Sequence, residues 1–151
     1  MPVIIVCDQP AELTRLQSLS GEAGLPRALC FNHPAAALDW CDVHTPDLML
    51  VDHLMRATDG LEFTRRVRAR PRLREVPLIL MQHHEFTPLC GAALALGVTD
   101  TLRKPFDPAE FRSRTTNLLA LHRARRALEP AVDIVPVPAP LRRNVAHLRV
   151  H

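Results

Sequence analysis

Five short apolar runs alternate with longer mixed segments, and this alternation constrains the fold more than any other feature. The runs are Val3–Cys7, Ala28–Phe31, Leu48–Val51, Leu78–Met81 and a weaker Val98–Leu102. Runs this short and continuous suit strands covered on both faces, as in a parallel sheet. The segments between them are long enough for a helix to carry the chain back for the next parallel strand. Strict alternation of this kind predicts an α/β fold of (βα)5 type, doubly wound around a parallel sheet.

The helix starts are legible. Gln9-Pro10, His33-Pro34, Thr87-Pro88 and Asp107-Pro108 each place a proline where a first helical residue is expected. Proline there sacrifices no hydrogen bond and arrives with φ already set. Asp107-Pro-Ala-Glu110 also has the form of a capping box. The remaining helix is expected near Asp59-Gly60.

The chain's 151 residues fit one domain, and 47% hydrophobic content excludes wholesale disorder. No apolar run approaches the ~20 residues of a membrane helix, and the N-terminus lacks the basic start of a signal peptide. No membrane association is expected. The four cysteines, Cys7, Cys30, Cys41 and Cys90, have no CxxC spacing. They read as small buried hydrophobes in a reduced, cytoplasmic compartment rather than a zinc site or disulfide framework. Net charge is only +3 and tyrosine is absent, so nucleic acid is not expected as a partner. Four prolines between 130 and 140 preclude a regular helix. The expected organisation is a folded domain over 1–128 and a Pro-rich tail or linker over 129–151.

In a doubly wound sheet, ligands bind at the carboxyl ends of the strands. Those ends carry Cys7-Asp8-Gln9, Asp52-His53-Leu54, Gln82-His83-His84 and Arg103-Lys104-Pro105-Phe106. Two carboxylates and a carbonyl form a hard oxygen site that suits Mg²⁺. A lysine opposite them neutralises a phosphoryl group as a point charge. A carboxylate also serves as a nucleophile. Eighteen of the 19 basic residues are arginine, and the one lysine, Lys104, stands at a strand end before a proline.

Two motifs carry a family resemblance. Asp47-Leu-Met-Leu-Val-Asp52-His-Leu-Met-Arg-Ala-Thr-Asp59-Gly60 resembles the strand-3 motif of the receiver domain of two-component response regulators. Leu102-Arg-Lys104-Pro105-Phe106 is similar to its strand-5 motif, and Val3 to Pro10 matches strand 1 in part. The resemblance runs from residue 3 to about 126. It implies a flavodoxin-like fold with strand order 2-1-3-4-5. It also implies that Asp52 is the phosphoacceptor, served by a histidine kinase or phosphotransferase. Asp8, Asp52 and the Leu54 backbone carbonyl would hold Mg²⁺, Lys104 would pair with the phosphoryl oxygens, and Lys104-Pro105 would be cis. The only chemistry expected is to accept and slowly lose a phosphoryl group, so the chain is not read as an enzyme. Output would pass to a downstream protein partner. The face of the fourth helix, fifth strand and fifth helix is a candidate homodimer surface, to which Leu121 to Leu128 would add.

Several positions depart from the family pattern. Cys7 replaces the first of two adjacent acids, and a thiol is a poor Mg²⁺ ligand, so weaker metal binding is expected. The switch positions carry Gln82 instead of Thr or Ser and Thr101 instead of an aromatic residue. Arg56 stands where proline is usual. Two alternatives follow: a phosphorylation-independent pseudo-receiver that acts by protein contact, or the N-terminal receiver of a larger regulator. His53, His83 and His84 are read as solvated loop histidines, with His84 at a position that tunes phosphoryl loss in the family. The arginines from Arg65 to Arg74, and Arg123, Arg125 and Arg126, are read as solvated helix ends.

Overall fold

The computed structural model describes residues 1–83 and 90–129. Its elements run β1 Val3–Val6, α1 Pro10–Glu22, β2 Ala28–Phe31, α2 Pro34–Val43, β3 Leu48–Asp52, α3 Gly60–Arg68, a 3-10 turn Pro71–Leu73, β4 Leu78–His83, α4 Cys90–Leu96, β5 Asp100–Lys104 and α5 Pro108–Leu128. All five strands are parallel, in the order β2-β1-β3-β4-β5. The expected (βα)5 architecture and strand order both hold.

Side chains alternate across a strand, and here they divide the core in two. Val3, Ile5, Leu48, Leu50, Ile79, Met81 and Leu102 pack on one face with Leu16 of α1 and Phe111 and Leu119 of α5. Ile4, Val6, Met49, Val51, Leu78 and Leu80 pack on the other with residues of α2, α3 and α4. β1, β3 and all of β4 but His83 are buried along their length, as continuous apolar runs require. The edge strands are not. β2 buries only Ala28, and Cys30 is exposed, against the expectation of a buried hydrophobe. An edge strand has a neighbour on one side only, so its cover thins. The fifth strand begins at Asp100, two residues later than the apolar run suggests.

Three expected prolines open helices, at Pro10, Pro34 and Pro108. Thr87-Pro88 lies outside the described residues, as do His84 and positions 130–151 of the expected tail. Asp59 caps α3 by accepting from the Glu62 amide at 2.8 Å. Asp107 caps α5 by accepting from the Ala109 amide at 3.0 Å, but Glu110 does not complete the box; it accepts from Arg114 Nε instead.

The arginine-rich segment is not uniformly solvated. Arg68 is half-buried and donates to the carbonyls of Leu73, Val76 and Gly97, tying α3 to the loops before β4 and β5. Arg72 donates to the Asp42 carbonyl and Arg70 to the Asp42 carboxylate. Among the described residues, no helix is long and apolar enough to cross a membrane.

Candidate functional site

β3 ends on Asp52, which is 2% exposed. β5 ends on Lys104, whose side chain is 8% exposed, and the Lys104-Pro105 peptide is cis. β1 delivers Cys7 and Asp8 beside them, because Val6 pairs with Val51 across the sheet. Residues far apart in the chain converge here because parallel strands place all their carboxyl ends on one edge.

Lys104 Nζ lies 3.0 Å from Asp52 Oδ2. The Cys7 thiol, fully buried, donates to the same oxygen at 3.2 Å. Burial pushes the Cys7 thiol up to about 12, and the neighbouring Asp52 carboxylate adds to the rise. The thiol is therefore neutral at physiological pH and serves as a hydrogen-bond donor, not as a thiolate ligand. Asp8 is half-buried, and its Oδ2 accepts from the Arg56 amide at 2.7 Å. That bond ties the loop after β1 to the loop after β3, where Leu54 is exposed.

This donor set fits a hard cation. Its hard oxygen donors are the Asp8 and Asp52 carboxylates, with the Leu54 backbone in the adjoining loop after β3. Among the described residues, no cluster of three or more His, Cys, Asp or Glu side chains converges as a metal site. A cation here would need backbone and water ligands beside the two carboxylates. Mg²⁺ tolerates such a site because it retains several waters.

The switch positions, Gln82 and Thr101, sit in different surroundings. Gln82 is 1% exposed, and its Oε1 is buried with no hydrogen-bond partner among the described residues. It follows Met81, which pairs with Asp52. Thr101 is half-buried, and its amide donates to the Asp100 carboxylate. That carboxylate also takes two contacts of 2.8 Å from Arg114 Nη1, which clamps α5 to β5. His53 is not a solvated histidine. It is half-buried, its Nδ1 is buried without a partner among the described residues, and its backbone bridges Met81 and Gly60. His83 is exposed, as expected.

Sequence reasoning passed over Glu12. It stands in the first turn of α1, half-buried, with Oε1 3.4 Å from Lys104 Nζ. The available signal was an acid one turn beyond the loop that carries Asp8, on a helix that starts at the functional edge of the sheet.

Comparison with known proteins agrees with this fold. Residues 3–116 match the sequence family described as the response regulator receiver domain. The cyclic di-GMP phosphodiesterase response regulator RpfG of Xanthomonas campestris pv. campestris (strain 8004) is 38% identical over 128 residues, 84% of this chain and 34% of that protein. The signal receiver domain of a signal transduction histidine kinase from Syntrophus aciditrophicus superposes with a TM-score of 0.70 at 26% identity, over 79% of this chain and 89% of that one. The receiver domain of sensor histidine kinase PA1611 from Pseudomonas aeruginosa PAO1 carries a magnesium ion in its active site cleft. It superposes with a TM-score of 0.70 at 24% identity, covering 79% of this chain and 97% of that one. The chain spans about a third to a half of the length of the first curated relatives it matches.

Proposed function

We propose, from the premise that the chain belongs to the response regulator receiver domain family, that Asp52 accepts a phosphoryl group and passes the signal on through protein contacts. The observation that carries this reading is the buried pair of Asp52 and Lys104 at 3.0 Å on the functional edge of the sheet. A buried ion pair is a weak source of stability, because desolvation offsets most of its attraction. Its place at the strand ends supports a functional role instead.

In the proposed step, an Asp52 carboxylate oxygen attacks the phosphorus of a phosphohistidine or of acetyl phosphate. An oxygen–phosphorus bond forms, the bond to the imidazole nitrogen or acetate oxygen breaks, and the leaving group takes the electron pair. Lys104 holds the phosphoryl oxygens as a compact charge, and the Gln82 amide is a candidate donor to them. Cys7 orients the Asp52 carboxylate through its thiol hydrogen bond. Mg²⁺ held by Asp8, Asp52 and the Leu54 carbonyl would offset charge on the incoming group.

In this reading the domain is a phosphoryl carrier in the cytoplasm and not an enzyme. Its donor is a histidine kinase or phosphotransferase, and its output is a downstream protein. The pseudo-receiver alternative draws on one observation: Cys7 occupies the place of the first of the two adjacent acids and already engages Asp52. One experiment separates the two. Incubation with acetyl phosphate and Mg²⁺ should add one phosphoryl mass to the wild-type chain and none to Asp52→Asn. Absence of labelling with acetyl phosphate and with candidate kinases, at saturating Mg²⁺, would favour the pseudo-receiver.

A further inference from the structure

Glu12 has no part in the roles assigned above, yet it touches their central cation. Its Oε1 lies 3.4 Å from Lys104 Nζ, and the same nitrogen lies 3.0 Å from Asp52 Oδ2. Lys104 thus stands between two carboxylates contributed by different elements, the first turn of α1 and the end of β3. The lysine side chain is 8% exposed and that of Glu12 is 18% exposed. Charges this well covered are poorly screened by salt. A small cavity of about 190 Å³ opens beside the pair, lined by Gln9, Glu12, Arg15, His83, Lys104 and Pro105.

The acids of the pocket are distributed in an uneven way. The end of β1 contributes one carboxylate, Asp8, beside Cys7, which is not an acid and whose thiol donates to Asp52. Asp8 is engaged by the Arg56 amide, on the side of the loop after β3. The additional carboxylate of Glu12 lies on the lysine side. The carboxylate that Cys7 lacks has a counterpart in Glu12, which meets the Lys104 ammonium instead. A phosphoryl group on Asp52 brings negative oxygens toward that ammonium. It must then share Lys104 with Glu12 or displace it, and the two anions repel at short range.

We propose that Glu12 is a positioning residue that competes with the phosphoryl group for Lys104 and so restrains phosphorylation of Asp52. The proposal rests on the phosphoacceptor reading of Asp52, and it specifies how that site is regulated. A competitor for the ammonium weakens donor binding more than it slows the bound donor's reaction. Glu12→Gln keeps the shape and removes the charge. It should lower the acetyl phosphate concentration for half-maximal labelling roughly three- to tenfold, as expected for loss of one nearby like charge. The maximal rate should change less than about twofold. Glu12→Asp, charged but shorter, should fall between wild type and Glu12→Gln.

A second measurement does not depend on labelling. Lys104 is the only lysine of the chain, so isotopically labelled lysine reports a single side-chain resonance. Glu12→Gln should shift that resonance, and inorganic phosphate should perturb it at lower concentration than in wild type. Mg²⁺ affinity should stay within about twofold, since Glu12 is assigned to the lysine and not to the cation.

The outcomes are distinct. Labelling of both proteins with equal half-saturation overturns the role of Glu12 and leaves the phosphoacceptor reading standing. A large loss of Mg²⁺ affinity in Glu12→Gln also overturns it, by making Glu12 a cation ligand. No labelling in either protein, with tighter phosphate binding by Glu12→Gln, retains the competition and removes the phosphoacceptor reading. No labelling and unchanged phosphate binding remove both.

Discussion

Gly60 has no room for a β-carbon. A methyl group built there would meet Leu80 Cδ1, and would come within 2.9 Å of both the Asp52 carbonyl oxygen and the His53 Cα. The Gly60 amide donates to the His53 carbonyl at 2.8 Å, so α3 begins pressed against the end of β3. Two of the three obstacles are backbone and cannot rotate away. Gly60→Ala should therefore cost about 1–3 kcal/mol, the usual penalty of overpacking, seen as a lower midpoint in urea denaturation. The backbone displaced is that of Asp52, so the same variant should also label more slowly with acetyl phosphate. An unchanged midpoint would refute the packing argument. The sequence shows Asp59-Gly60 as a helix start but not this contact, because turn chemistry accounts for a glycine there equally well. His53 follows the same pattern. Its loop position suggests solvent, yet the backbone bond of its amide to Met81 draws it half inside.

At the scale of elements, α5 shows what local pattern conveys and what it omits. Proline and an aspartate cap announce the helix, and Phe111 enters the core. Leu121 and Leu128 do not; they are 49% and 65% exposed and leave an apolar stripe on the solvent side. The far end of the helix is held instead by Asp47, at the opposite edge of the sheet from Asp52. Arg123 and Arg126 reach the Asp47 carboxylate at 3.1 and 3.2 Å, and His122 Nε2 lies 3.9 Å from it. No periodicity rule finds a histidine buried beneath two arginines.

Burial pushes the pKa of His122 below its ordinary 6.5. Arg126 acts in the same direction, while Asp47, Glu129 and the Glu75 backbone oppose it. The folded state therefore binds the proton less readily than the unfolded chain. As pH falls through 6.5 the unfolded state gains protons first, and stability declines until the folded histidine also titrates. The slope contributed by this group is at most about 1.4 kcal/mol per pH unit. Urea denaturation of wild type and His122→Gln between neutral and mildly acidic pH should give a shallower slope in the variant. Parallel slopes would show that His122 does not titrate differently on folding.

Across the whole molecule, legibility follows the sheet. Alternating runs reveal five strands because the interior strands are covered on both faces, and the two layers of the core confirm why. Strand order is not readable from periodicity; it came from the resemblance, and with it the placement of edges. Read from its apolar run alone, Cys30 is expected inside, whereas edge strand β2 leaves it exposed. In the pocket, Asp8, Asp52 and Lys104 were legible because strand ends must gather on one edge. The contacts of Glu12 were not, since they join the first and last parts of the domain through space. The pairing of Cys7 with Asp52 was hidden for the same reason. A ligand that binds only the folded state stabilises it by mass action, by about 2.7 kcal/mol at a hundred times its dissociation constant. Asp8 and Asp52 are brought to one edge only when β1 and β3 pair, so Mg²⁺ should raise the thermal midpoint of the wild-type chain. The rise should vanish in Asp8→Asn. Cys7→Asp would exchange a neutral thiol for a second acid on β1, and ligand charge tunes the affinity of hard cations. In the absence of metal that variant should be less stable, because Asp52 gains a like-charged neighbour and loses its thiol donor. With Mg²⁺ added, its midpoint should climb further than that of wild type. Equal Mg²⁺ responses in wild type and Asp8→Asn would place the cation elsewhere, and equal responses in wild type and Cys7→Asp would separate the first β1 position from metal binding.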